Sequence, residues 1–156
     1  METVYIETTI VSYLVANPSR DLVVAARQAI TDEWWREARG TYRCVTSDEV
    51  IREASLGDAD MSRRRLELLA PLPVLDASEE SRRLARELIR AGLLPAAGIS
   101  DATHVAVATL NRVEVLVTWN CRHLANPHLL RRLRAFMAAP GLQLPEICTP
   151  LEKEGE

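Results

Sequence analysis

Four polar side chains in this sequence are of types that hold divalent cations in proteins. Glu7, Glu53 and Asp101 carry carboxylates, and Asn120 carries an amide oxygen. Oxygen ligands of this kind suit the hard ions Mg²⁺ and Mn²⁺. Such an ion neutralises charge on a phosphoryl oxygen and lowers the pKa of a bound water. We therefore expect a divalent-metal site if the fold brings these residues together.

The elements that must position these residues alternate between short apolar strands and longer helices. Because parallel neighbours need long crossover connections, strands separated by helices indicate parallel pairing. The sequence therefore predicts the α/β class, as a three-layer α/β/α sandwich around a parallel sheet of four or five strands. We expect strands at residues 4–6, 42–46, 73–75, 114–118 and 147–148, and helices at about residues 9–16, 21–39, 47–53, 59–70, 78–91, 100–111 and 126–138.

Two of the polar residues follow predicted strands. Glu7 comes directly after the first strand, with Thr9 two residues further on. Asn120 lies two residues beyond the strand that ends at Thr118. Open parallel sheets bind their ligands outside the carboxyl ends of the strands, which lie at one edge. We expect the side chains of Glu7 and Asn120 to converge at that edge.

The other two acids lie on predicted helices. Glu49 and Glu53 are one turn apart on the helix that follows the second strand, so they share a face. Asp101 begins a helix that is otherwise rich in small and apolar residues. An acid at a helix start also has a structural explanation, because it interacts favourably with the helix dipole. Both interpretations of Asp101 are open on this pattern.

The order of these features along the chain resembles the PIN-domain family of metal-dependent nucleases, as found in VapC-type toxins. In the second motif of that family the essential acid stands six residues after a serine, which selects Glu53 rather than Glu49 here. The resemblance runs from residue 4 to about residue 150. The segments that resemble the four motifs are residues 5–14, 47–53, 100–104 and 117–120.

The resemblance implies a ribonuclease that uses Mg²⁺ or Mn²⁺ and leaves a 3′-hydroxyl and a 5′-phosphate. Glu7, Glu53, Asp101 and Asn120 would hold the ion, and Thr9 would orient a ligand or a water. The resemblance also implies a cognate antitoxin as partner. A homodimer is expected both from the resemblance and from the helix at residues 21–39, which carries more apolar residues than one core-facing stripe needs.

Two positions depart from the common pattern of the family. The first motif usually has Asp where this sequence has Glu7, and the fourth usually has Asp where it has Asn120. Both features resemble one branch of bacterial PIN proteins. The loss of a charge at Asn120 motivates an alternative, a catalytically impaired PIN protein that binds RNA or a partner. A third alternative is a different α/β hydrolase that acts on small phosphate esters.

Other reactive side chains favour structural explanations. His104 lies on a largely apolar helix and is expected to be a buried histidine with satisfied hydrogen bonds. Trp34 and Trp35 suit core packing or a dimer or antitoxin contact better than base stacking. Arg122 and His123 could either lie on the surface without a function or contact the scissile phosphate. The three cysteines indicate buried, reduced thiols. No common zinc spacing fits the set Cys121, His123, His128 and Cys148.

Composition and charge bound the remaining possibilities. The chain has 156 residues, of which 47% are hydrophobic and 26% charged, as in a soluble globular domain. We expect one domain over residues 1–150, a disordered tail over residues 151–156, and a cytoplasmic protein without membrane contact. The formal net charge of −3 argues against coating nucleic acid by bulk electrostatics. Arginine clusters form either solvated helix faces or a local RNA-binding face.

Overall fold

The computed structural model describes residues 1–154. Its strands are β1 (Thr3–Ile6), β2 (Arg43–Ser47), β3 (Val74–Leu75), β4 (Val115–Val117) and β5 (Glu146–Cys148). Its α-helices are α1 (Thr8–Val15), α2 (Leu22–Thr41), α3 (Asp48–Ala54), α4 (Ala59–Leu69), α5 (Glu79–Arg90), α6 (Ile99–Leu110), α7 (Pro127–Ala138) and α8 (Pro150–Glu154), and a 3₁₀ turn spans Ala96–Gly98.

Within residues 1–154, the five strands form one parallel sheet in the order β3–β2–β1–β4–β5. Tyr5 of the central strand pairs with Val45 on one side and with Leu116 on the other. The chain places β2 and β3 on one side of β1, then β4 and β5 on the other, so the strand order reverses at β1. Helices cover the sheet, which is the middle layer of the predicted sandwich. Sheets of this kind bind ligands at such a reversal, outside the carboxyl ends of the strands.

Helix caps set the positions of the chain at this edge. Glu7 caps α1, since its side chain accepts a hydrogen bond from the Thr9 amide. Ser47 caps α3 through its hydroxyl, which accepts from the Val50 amide at 3.2 Å. Each cap satisfies a backbone amide that has no partner within its helix. The two residues are therefore fixed at the carboxyl ends of β1 and β2.

Helix α6 runs through the protein interior. Its residues from Ala102 to Thr109 are all buried, so it has no solvated stripe over two turns. A helix that is apolar all round is expected to lie in the core. A polar residue on this segment must then find its hydrogen-bond partners inside the protein.

The C-terminal segment corrects the expectation of a disordered tail. Residues Pro150–Glu154 form α8, which begins with a reciprocal pair: the Thr149 amide donates to Glu152 Oε1 at 3.1 Å, and the Glu152 amide donates to Thr149 Oγ1 at 3.3 Å. Lys153 is buried, with its ammonium 2.7 Å from Glu2 Oε1 and above the Tyr42 ring. Contacts with distant residues therefore order this segment. Residues 155 and 156 lie outside the described range.

The structure also shows whether the three cysteines are buried and whether any described helix could span a membrane. Cys44 and Cys148 are buried as predicted, but Cys121 is exposed because it lies in the loop that follows β4. Burial raises the pKa of the Cys44 thiol to about 11, so this thiol is protonated and packs as an apolar group. Among the described helices, none has the length and apolar character of a membrane span.

Candidate metal centre

Glu7 lies at the carboxyl end of the central strand, and one oxygen of its carboxylate receives several hydrogen bonds. Its Oε1 accepts hydrogen bonds from the Thr9 amide at 3.0 Å, from the Thr9 hydroxyl, and from the Thr118 hydroxyl at 2.7 Å. Glu7 is only 3% exposed. Burial raises the pKa of Glu7, and the charge of His104 together with these hydrogen bonds offsets only part of that rise.

Glu53 approaches the same edge from α3 and is paired with a buried histidine. Its Oε1 lies 2.5 Å from His104 Nε2 and accepts a hydrogen bond from the Thr8 hydroxyl at 2.8 Å. Burial alone would raise the pKa of Glu53, but the hydrogen bond and charge of His104, with Thr8 and Arg52, lower it. Glu53 is therefore held as a carboxylate.

His104 is the basic group inside this acidic cluster. Burial alone would lower the pKa of His104, but the hydrogen bond with Glu53 and the charges of Glu7, Glu53 and Asp101 raise it. The histidine side chain is fully buried. Its protonated form balances part of the negative charge that the three acids bring to this edge.

A chain of buried hydroxyl groups holds the other side of the His104 ring. Its Nδ1 lies 2.7 Å from the Tyr5 hydroxyl, which lies 2.6 Å from the Ser47 hydroxyl. Burial raises the pKa of Tyr5 well above 10, so the phenol is neutral. Ser47 also caps α3, the helix that carries Glu53. The central strand, the start of α3 and the histidine of α6 are thus joined around one carboxylate.

Asp101 and Asn120 form the adjoining part of the edge. The Asn120 amide nitrogen donates to Asp101 Oδ2 at 3.2 Å, and the His123 backbone amide donates to Asn120 Oδ1 at 3.0 Å. The Asn120 backbone amide donates to the Thr118 hydroxyl, which in turn donates to Glu7. Burial and the charge of Glu53 raise the pKa of Asp101. The amide of Asn120 therefore orients Asp101 while its oxygen accepts a backbone hydrogen bond.

Two solved structures have the same arrangement of elements. A chain in the crystal structure of VapBC2 from Rickettsia felis, bound to a promoter DNA fragment, is 16% identical, with a TM-score of 0.57 over 94% of this chain and 96% of that chain. A chain in DNA-bound VapBC from Salmonella typhimurium is 19% identical, with a TM-score of 0.54 over 96% of this chain and 99% of that chain.

The chain has a PIN fold of the VapC type. The solved structures match it over nearly its whole length, and both the sheet order and the hydrogen bond between Asp101 and Asn120 agree with the order of the sequence motifs. No family model and no curated protein sequence matches it. The likeness is therefore one of fold, as the resemblance of the motifs implies.

The donor groups at this edge of the PIN fold suit a divalent cation. Carboxylate oxygens of Glu7 and Glu53 lie within 4.8 Å of each other and of a ring nitrogen of His104. Both ring nitrogens of His104 have hydrogen-bond partners, so the carboxylates are the available ligands. Within residues 1–154, each of the three acids receives its side-chain hydrogen bonds on one oxygen alone. Oε2 of Glu7, Oε2 of Glu53 and Oδ1 of Asp101 accept none. Carboxylate oxygens that lack protein donors are ligands that Mg²⁺ and Mn²⁺ prefer.

The residues singled out from the sequence lie at this one edge, in two adjoining groups. Glu7 and Glu53 lie together, and Thr9 holds Glu7. Asp101 lies beside Asn120 instead. The assignment of Glu7, Glu53, Asp101 and Asn120 as metal ligands remains a prediction.

The sequence predicts His104 as a structural histidine outside the site. Its burial and its satisfied ring nitrogens agree with that expectation, but its partner is the acid Glu53. A signal was present, because Asp101 and His104 are three residues apart and therefore lie on one face of α6. Helical spacing could not show which distant acid the histidine would meet.

The other candidates do not form a second site in the part of the chain that the structure describes. The cysteines and histidines of the zinc interpretation are not gathered into a metal-binding group there. Trp34 is buried and stacks with Tyr42, as core packing predicts. A cavity of about 930 Å³ borders Glu114 and Glu146 at the amino ends of β4 and β5, away from the acidic edge.

Tyr5→Phe tests the buried hydroxyl chain. The change leaves Ser47 and His104 each short of one hydrogen-bond partner in the core, so we expect a loss of about 1–3 kcal/mol in the free energy of unfolding, measured with urea. Tyr42→Phe is the matched control, because the Tyr42 hydroxyl has no hydrogen bond within residues 1–154 and its ring packing is kept. Equal stability of the two variants would contradict this role of Tyr5.

Asn120→Asp tests the missing charge of the fourth motif. A second carboxylate beside Asp101 repels it, and a cation relieves that repulsion, so calorimetry should show Mg²⁺ affinity rising by about tenfold. Asn17→Asp adds the same charge at an exposed position and should leave the affinity unchanged. Unchanged or weaker binding by Asn120→Asp would leave Asn120 with the single role of orienting Asp101.

Proposed function

We propose that this chain is a divalent-metal-dependent endoribonuclease of the VapC type, which hydrolyses RNA phosphodiesters. The observation that carries the proposal is the gathering of Glu7, Glu53 and Asp101 at the carboxyl edge of the sheet. These acids are far apart in sequence, and each has an oxygen that receives no hydrogen bond within residues 1–154. Like charges gathered in a partly desolvated place repel one another, and a cation relieves that repulsion.

The residues at this edge divide into ligands and groups that hold them. Glu7, Glu53 and Asp101 would hold Mg²⁺ or Mn²⁺. A bound ion of this type supplies charge neutralisation at the phosphoryl oxygens and a water of lowered pKa. Thr9 holds Glu7 through its amide and hydroxyl, and Asn120 orients Asp101. Hydrolysis at this site leaves a 3′-hydroxyl and a 5′-phosphate, as the resemblance to the family implies.

A second candidate function is RNA or partner binding by a catalytically impaired PIN protein. Asn120 favours it, because the amide brings no charge and its oxygen accepts the His123 backbone amide. His104, when protonated, also balances part of the acidic cluster without a metal. Both features reduce the negative charge that a bound metal ion would have to neutralise at this edge.

The proposed partners are RNA as substrate, a cognate antitoxin and a second copy of the chain. The two similar structures were both determined as VapBC bound to DNA, which supports an antitoxin partner for this chain. The proposed location is the cytoplasm, where the RNA substrate is found.

Nuclease assays on acid variants test the proposed activity. Glu7→Gln, Glu53→Gln and Asp101→Asn should each lower Mn²⁺- or Mg²⁺-dependent cleavage of single-stranded RNA by at least about 100-fold, because each removes a ligand charge. Chelation with EDTA should abolish the cleavage. Chromogenic phosphomonoesters should not be hydrolysed, and their hydrolysis would indicate a different phosphatase-type function.

Glu49→Gln is the matched control on the same helix as Glu53. Glu49 is paired with Arg52 at 2.7 Å and with the Ser100 hydroxyl, so its carboxylate is already used. We expect its activity to stay within a few-fold of wild type, as for a residue outside the ligand set. Absence of metal-dependent cleavage in the wild type would favour the binding function instead.

Light scattering at micromolar concentration tests the proposed homodimer. Leu22 and Val23 at the start of α2 are 86% and 63% exposed, which provides apolar surface in the first half of the chain. Such surface favours burial in an interface. We expect a dimer mass for the wild type and a shift towards monomer in Leu22→Glu. A wild-type monomer would contradict this assembly.

A further inference from the structure

One arginine lies against the aromatic residue that leads into the acidic edge. The Arg27 guanidinium, on α2, lies 5.2 Å from the centroid of the Trp119 ring. Tyr13, near the end of α1, packs against the same indole with ring centroids 6.0 Å apart. Interaction with the Tyr13 hydroxyl raises the pKa of Arg27, and the neighbouring Cys121 acts in the same direction. The guanidinium is therefore charged and lies against the Trp119 indole, which Tyr13 packs against in turn.

The Trp119 platform is fixed to the acidic edge. Its ring nitrogen donates to the Thr31 hydroxyl at 2.7 Å, which ties the indole to α2 one turn beyond Arg27. Its backbone amide donates to the Thr9 hydroxyl at 2.8 Å, and Thr9 donates in turn to Glu7. Trp119 also directly precedes Asn120 in the chain. A short, rigid path of hydrogen bonds thus connects the cation to the acids.

The charge of Arg27 is not neutralised by an acid within residues 1–154. Other arginines of the helices, such as Arg36 with Asp32 and Arg63 with Asp60, form ion pairs. Arg27 combines a free positive charge with aromatic confinement at the rim of an acidic site. A confined guanidinium loses less conformational freedom when it binds an anion, and its planar donors suit phosphate.

We infer that Arg27, held by Trp119 and Tyr13, binds a backbone phosphate of the RNA at the rim of the acidic edge. This inference rests on the proposed function and specifies how its substrate is held. An edge with three carboxylates repels a polyanion, and the chain as a whole carries a net charge of −3. A local cation is therefore needed on the path of the RNA, and Arg27 occupies that position.

Binding of a labelled single-stranded RNA oligonucleotide tests this inference. We compare wild type, Arg27→Gln and Arg36→Gln by fluorescence anisotropy with Ca²⁺ present, over a series of salt concentrations. Arg36→Gln removes an equally charged side chain from the same helix, where it is 77% exposed and paired with Asp32. Arg27→Gln should weaken binding by about 5- to 10-fold and lower the salt slope by about 0.7, as expected for one lost phosphate contact to a single strand.

Three further comparisons separate phosphate binding from a structural role of the arginine. In cleavage assays Arg27→Gln should raise KM and leave kcat within about twofold, because the contact is made away from the reacting atoms. Tyr13→Phe keeps the charge but removes the hydroxyl beside it, and should weaken RNA binding less than Arg27→Gln. Arg27→Lys should restore part of the affinity, since it restores charge without the planar donors.

The outcomes distinguish failure of the inference from failure of the proposed activity. Wild-type cleavage with unchanged RNA affinity and KM in Arg27→Gln overturns the inference and leaves the nuclease intact. RNA binding that depends on Arg27 without cleavage supports the inference and overturns the nuclease. Equal losses in Arg27→Gln and Arg36→Gln indicate a nonspecific charge effect and overturn the inference, as does a wild-type protein that binds no RNA.

Discussion

Repulsion among carboxylates that share a partly desolvated edge is the constraint to which the surrounding structure responds. Glu7, Glu53 and Asp101 interact strongly there because water screens their charges poorly. Burial raises the pKa of Glu7, and burial with the charge of Glu53 raises that of Asp101, whereas His104 keeps the pKa of Glu53 low. Hydroxyl and amide donors cover one oxygen of each acid and leave the other available. The edge is thus stable enough to fold and still prepared for a cation.

The central strand transmits this constraint to the rest of the fold. Tyr5 contributes to the sheet through its backbone and to the site through its hydroxyl, which joins Ser47 and His104. Helix α6 brings the histidine into the core, where the cost of burying it is offset by its two hydrogen bonds. The central strand therefore takes part in the backbone pairing of the sheet, and through Tyr5 it contacts both the cap of α3 and the histidine beside Glu53.

The sequence predicts the strands and helices of this fold well, but it predicts poorly which distant side chains contact one another. Strand and helix bounds follow from apolar periodicity and from caps such as Ser47, which local spacing reveals. The order of the motifs was enough to anticipate one acidic edge. Periodicity could not predict that His104 meets Glu53, or which way the Asn120 amide points, because those partners are far apart in the chain. The same limit explains α8, whose Lys153 is paired with Glu2.

Helix α1 joins the two chemical features of this edge as a spacer of fixed length. It begins at the Glu7 cap and carries Tyr13 six residues later, a rise of about 9 Å along the helix axis. Backbone hydrogen bonds within the helix, rather than a deformable loop, set the separation between the acid and the aromatic residue beside Arg27. The helix therefore fixes the distance between these two positions. Under the proposed function, this helix would set the distance between the phosphate held at Arg27 and the phosphodiester at the acids.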